Sequence, residues 1–219
     1  MNAALILIVL LLVGFSLLFF FFEKSRIDEK TIAIIATLGA LAAVGRILFA
    51  ALPNVKPTTF LVMASGYVFG MRAGFFVGVL AALFSNFYLG QGPWTLWQMI
   101  AWGLSGVFAA LLRRIMEKND SEKPVLSSRK KRWVFIGSCT VWGFIYGWIM
   151  NLWHFLAYGT YMTWGGFLAV YAASFSFDLA HALGNFAFAS LFATITVKTL
   201  QRYHRKLLVS RWAPKEDSS

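Results

Sequence analysis

The sequence predicts an all-α integral membrane protein, a six-helix bundle preceded by one additional N-terminal transmembrane helix. Three observations predict it. Of 219 residues, 59% are hydrophobic and only 13% charged, whereas soluble domains carry about a quarter charged residues. That is too little polar surface to coat a body in water. The apolar runs are continuous rather than alternating, which selects helices over a membrane barrel. Finally, the chain divides into stretches close to the roughly 20 apolar residues that carry a helix across a hydrocarbon core about 30 Å thick.

Residues 2–22 make the first span. They lack a basic leading region and a small-residue cleavage pattern, so they read as a retained helix rather than a signal peptide. The charged stretch EKSRIDEK, residues 23–30, is a cytoplasmic linker. The membrane core follows over 31–206, and 207–219 form a cytoplasmic tail. Core helix one runs over about 31–52. Pro53, Asn54 and Pro57 then turn the chain. Residues 58–73 form a short second helix and 74–88 a third. One helix over 58–89 would be roughly 48 Å long, and Gly70-Met-Arg-Ala-Gly74 offers a break. Gly90-Gln-Gly-Pro93 leads into helix four, about 94–116. A polar loop carries Pro124, and helix five spans about 132–157. After a Gly-, Tyr- and Thr-rich loop over 158–166, the stretch 167–203 is too long for one simple span. It reads as an interfacial piece near 167–173 followed by helix six to about residue 202.

Charge sets the orientation. Of the 20 Lys and Arg residues, all but Arg46 and Lys56 fall in four segments: the linker, Arg72, the 113–132 segment and the C-terminal stretch 198–215. These segments share one side if every helix spans, and positive-inside topology makes that side cytoplasmic. Both ends of the core are then cytoplasmic, and the extra helix starts outside. The same topology accounts for the net charge of +11 without nucleic acid. Cys139, alone in an apolar run, gives no disulfide framework.

Catalytic signatures are missing. No GxxxxGK[ST] phosphate loop, HExxH or CxxC occurs, so no ATPase or other catalytic site, metal or cofactor is expected in this chain. Asp178 is the only plausible intramembrane acid, and with His154 and His181 it makes a thin proton relay.

Polar groups gather instead at the outer turns. Asn54 and Lys56 lie in the first turn. Asn86, Tyr88, Gln91, Trp94, Trp97 and Gln98 surround the second, and Asn151, Trp153, His154, Tyr158, Tyr161 and Trp164 the third. Asp178, His181 and Asn185 share one helical face by their spacing. For each Trp or Tyr an interfacial belt is the plain alternative, and for each amide interhelical hydrogen bonding. As a group they suggest an apolar pocket with a few orienting polar groups. A lone charge in the membrane is expensive, so Arg46 and Asp178 are expected either to pair with each other or to touch a polar solute. In helix one, Ala36/Ala40 and Gly39/Ala43 form small-residue ridges that allow close helix approach. Gly70/Gly74/Gly78 form another, expected to pack internally.

Several stretches resemble one family. They are Ala36-Thr-Leu-Gly-Ala40, ALPNVKPTTF, the glycines 66, 70, 74 and 78, SNFYLGQGPWTLWQMIAWGLSG and FDLAHALGN. Over about residues 31–203 the chain resembles the S component, the substrate-binding subunit, of an energy-coupling factor (ECF) vitamin transporter. Within that family it is most similar to cobalamin-type members. The resemblance implies a substrate-capture subunit in the bacterial cytoplasmic membrane that binds its vitamin, cobalamin, from outside. It also implies partners: a transmembrane coupling subunit, on which Ala36 and Ala40 dock, and two ATPase subunits that hold the engine. Membrane lipid surrounds the chain, and its basic loop and tail can also meet anionic headgroups. Two features depart from the family pattern, the extra helix and the long basic loop 113–132. Two other readings stay open: a stand-alone secondary transporter or channel, and an intramembrane enzyme using His154, His181 and Asp178.

Overall fold

A computed structural model of the chain describes residues 29–117, 125–157 and 163–212, together with Ser16. The expected helix over 2–22 lies outside the described residues. Six helices are present among those described: α1 Glu29–Leu48, α2 Thr58–Phe69, α3 Met71–Leu89, α4 Trp94–Met116, α5 Arg129–Ala157 and α6 Trp164–Trp212. All but α2 are long and apolar enough to cross a membrane.

Local chemistry moves several boundaries from those expected. The α2–α3 break falls at Gly70 rather than at residue 73. Gly70 adopts a φ of 94°, in the region that favours glycine. Its N–H bonds back to Gly66 O, and its carbonyl accepts from Gly74 N to open α3. Helix α5 begins three residues earlier than expected, because Ser128 Oγ accepts the Lys131 N–H at 3.2 Å as an N-cap. The expected interfacial piece and helix six are one continuous helix, α6, of 49 residues, roughly 74 Å by the helical rise. Thr163 caps its start by accepting from Gly166 N at 3.1 Å. No proline interrupts the chain between Thr163 and Trp212.

Helix α2 is the axis of the bundle and packs against each of the other five helices. Ten of its 12 residues are buried. In lipid, where apolar side chains gain little by leaving the solvent, close backbone approach does the packing. Gly66 of α2, Gly74 of α3 and Gly106 of α4 meet backbone to backbone, and a Cβ on any of them would overlap main-chain atoms of another. Helix α1 lies at the periphery and packs mainly on α2 and α3. It buries Ile35, Gly39, Ala42 and Ala43. Around the outside, Phe87, Leu191 and Ile115 stand open, as lipid-facing residues should.

The two ends differ. At one, Arg113 donates to the carbonyls of Tyr67 (3.0 Å) and Val68 (2.6 Å) at the C-terminus of α2, which suits the negative end of the helix dipole. Glu117 pairs with Lys131 at 2.6 Å beside it. Arg129, Arg132 and Lys198 line a recess of about 420 Å³ nearby. This basic end also holds the Gly70 turn. The opposite end carries the connections 49–57 and 90–93 and the amide and aromatic residues.

Candidate solute-binding site

Trp102, in the middle of α4, organises the second end. It is fully buried. Its Nε1–H donates to Thr59 Oγ1 at 3.0 Å, and Thr59 Oγ1 lies 2.9 Å from His181 Nε2. Tyr146 of α5 lies against Trp102, centroids 4.7 Å apart, and meets His181 edge-on at 4.9 Å. Helices α2, α4, α5 and α6 thus join through one aromatic and hydroxyl junction.

Two cations face the junction. The Arg46 guanidinium stands 4.9 Å from the Trp102 ring centroid. It donates to Ser85 Oγ at 2.6 Å and to Asn86 Oδ1. Lys56 Nζ lies 5.9 Å from the ring centroids of both Trp102 and Tyr146 and donates to Asn54 Oδ1 at 2.7 Å. Asn54, at a φ of 58°, donates in turn to Phe177 O at 2.7 Å. This bond holds the first connection to α6, as does the packing of Val55 on Gly184.

Asn86 is fully used. Besides accepting from Arg46, its Nδ2 donates to Thr95 Oγ1 and Gln98 Oε1, each at 2.8 Å. Gln91 stays at the surface and fixes the turn, accepting from Thr95 Oγ1 at 2.9 Å. Trp97 is buried on α4. Trp94 reaches Trp153 of α5 at 6.0 Å, so the second and third outer corners do converge.

The anticipated Arg46–Asp178 pair does not form. Asp178 is 4% exposed and sits between α5 and α6, with Oδ2 at 3.1 Å from Ser174 Oγ and 3.5 Å from Asn151 Nδ2. Its carboxylate occupies the space where Gly147 has no side chain. Asn151 donates to Ser174 Oγ at 2.6 Å and belongs to this second cluster. Asn185, one turn beyond His181, is fully buried, and neither its Nδ2 nor its Oδ1 finds a partner; His181 Nδ1 is also unpartnered. Tyr88 is 75% exposed and stays outside the cluster. His154 is exposed near the end of α5, beside Trp153. Tyr158 and Tyr161 lie outside the described residues.

Sequence reasoning missed Thr59, Ser85, Trp102, Tyr146 and Ser174. A signal existed for Trp102, because Trp94, Gln98 and Trp102 recur every four residues on one face of α4. Nothing in the local sequence marks Tyr146.

An all-helical bundle with five helices long and apolar enough to cross a membrane, and a buried polar and aromatic cluster at one end, is the architecture of a multi-pass membrane protein. The chain belongs to the substrate-specific components of ECF transporters, whose family model matches residues 30–200. Membership makes it a substrate-binding rather than a catalytic subunit, one that docks with other ECF components. Neither a curated protein nor a solved structure matches the chain significantly.

Proposed function

We propose that the chain captures a vitamin, cobalamin being the first candidate, on the outer side of a bacterial cytoplasmic membrane. It then hands the vitamin to a coupling subunit driven by two ATPase subunits. The basic end faces the cytoplasm by the positive-inside rule. The observation that carries this reading is the cluster around Trp102, where Arg46, Lys56, Asn86 and Tyr146 from four parts of the chain converge at the end poor in acids. An apolar and aromatic lining with a few placed polar groups is what a cofactor-sized ligand requires. Asn54, Asn151, Trp94 and Trp97 belong to the same end of the bundle and are the further candidate contacts. Cobalamin suits the reading because it is amphiphilic and offers many amides to match.

The docking role goes to α1. Ala36 and Ala40 lie on its exposed face, whereas Gly39 and Ala43 turn inward against the bundle. Among the described residues, the first ridge is the one left open for a partner helix.

Cobalamin is coloured, which makes the test direct. The purified full chain, titrated with cobalamin and washed, should retain its visible absorption at about one equivalent. If no cobalamin form is retained at saturating concentration, another vitamin is the substrate. Ion-driven uptake by vesicles holding this chain alone would instead favour a stand-alone transporter.

A further inference from the structure

The cations at Trp102 have no acid to answer them. Among the described residues, no carboxylate lies within 4 Å of Arg46 or Lys56; the ion pair found among them, Lys131–Glu117, is at the other end. The chain has nine acids. In the core between the basic segments Asp178 is the only one, and Ser174 and Asn151 hold it on the α5–α6 side. Arg46 and Lys56 both stand by the Trp102 indole, and the partners found for them among the described residues are a hydroxyl, amide oxygens and ring faces. Two like charges in a low-dielectric setting repel, and neutral dipoles compensate them only in part. The rest of the neighbourhood is also rich in donors. Tyr146 brings a hydroxyl, and the unpartnered Asn185 amide and His181 Nδ1 add further capacity deeper in. Two cations compensated only by neutral groups leave net positive charge in one place, which a ligand group of the opposite sign can balance.

We propose that Arg46 and Lys56 form a two-cation seat for one oxyanion of the captured solute, a carboxylate or a phosphoryl group, with Trp102 and Tyr146 as its aromatic floor. This rests on the reading of the chain as a solute-capture subunit and adds a requirement to it: the solute carries a negative group. Arg46 supplies the planar fork that matches an oxyanion with two bonds, and Lys56 supplies a mobile point charge. Lys56 belongs to the connection 49–57, which Asn54 ties to α6 through Phe177 O while accepting from Lys56.

Thermal unfolding of the full chain in lipid nanodiscs tests this, with potassium phosphate or potassium acetate replacing chloride at constant ionic strength. Lys56→Met removes the charge and keeps the stem, and Lys56→Arg keeps the charge. An oxyanion that binds the folded state raises the midpoint saturably, by about 3 °C at ten times its dissociation constant. Wild type and Lys56→Arg should show this shift, and Lys56→Met should lose it. A response to phosphate alone assigns a phosphoryl group, and a response to acetate alone a carboxylate. Because Lys56→Met carries the general salt effect, an equal shift in wild type and Lys56→Met overturns the seat, as does no shift in wild type with either anion. Cobalamin retention on the same samples keeps the two readings apart. A protein that holds cobalamin but ignores both anions rejects the seat and leaves capture standing. A protein that responds to an anion but holds no cobalamin rejects cobalamin and leaves the seat.

Discussion

In the proposed seat, Asn86 sets how strongly Arg46 can reach an oxyanion. Its Oδ1 already accepts one guanidinium N–H, and its Nδ2 is committed to Thr95 and Gln98. The side chain is 1% exposed. Asn86→Asp keeps the shape and replaces a neutral acceptor by a carboxylate next to the guanidinium. Thr95 can then turn its hydroxyl and Gln98 its amide to donate. The internal ion pair would compete with any oxyanion for Arg46. We expect Asn86→Asp to fold with a midpoint equal to or above that of wild type and to bind oxyanions about tenfold more weakly, the weight of one charge-assisted hydrogen bond. Anion titrations followed by unfolding would show it, and unchanged anion affinity in a well-folded variant would mean that Arg46 is not part of the seat. At this scale the sequence was partly legible. The intramembrane cost of charge drew attention to Arg46 and Asp178, and helical spacing grouped His181 with Asn185. The cost of charge is blind to which helix stands opposite, and Arg46 meets Ser85 and Asn86 rather than Asp178. Tyr88 is 75% exposed, and in sequence an aromatic near a helix end reads alike whether it faces lipid or solute.

Among the elements, the most constrained contact is the glycine junction of α2, α3 and α4. A Cβ at Gly106 would land on the Gly74 backbone, and main chain cannot step aside as a side-chain tip can. Gly106→Ala should therefore cost about 1–3 kcal/mol or more and lower both the unfolding midpoint and the detergent-purified yield. Gly137→Ala, on the exposed face of α5 with no heavy atom near its Cβ position, should be neutral or slightly stabilising through helix propensity. Equal midpoints for the two variants would mean that the three helices do not touch as described. The glycine spacing announced internal packing in the sequence, and the break near Gly70 followed from length together with the Gly70-Met-Arg-Ala-Gly74 stretch. The continuity of α6 did not, because hydrocarbon thickness limits only the part of a helix that sits in lipid. A helix without proline and with a Thr cap can run on into water.

At the scale of the whole molecule, the bundle separates three surfaces: a basic end, an amide and aromatic end, and the open face of α1. The charge census made the first two legible, since Lys and Arg placement is read directly from the chain. The third was only half legible. Both small-residue ridges of α1 looked alike in sequence, and only packing showed that Gly39 meets Leu80 of α3 while Ala36 and Ala40 stay exposed. That difference separates docking from folding. Ala36→Trp and Ala40→Trp place a large side chain on a face left open among the described residues, so solute binding and the unfolding midpoint should stay at wild-type values. If the exposed ridge is where the coupling subunit seats, the same variants should cut ATP-driven uptake more than tenfold in vesicles that also contain the coupling and ATPase subunits, because close approach of small residues is what such a helix contact depends on. Gly39→Trp is the internal comparison, since its side chain would collide with Leu80 and should lower the unfolding midpoint and solute binding together. Normal uptake by both alanine variants would move the docking surface to another face of the bundle, and the basic recess around Arg129, Arg132 and Lys198 would then be the next surface to substitute.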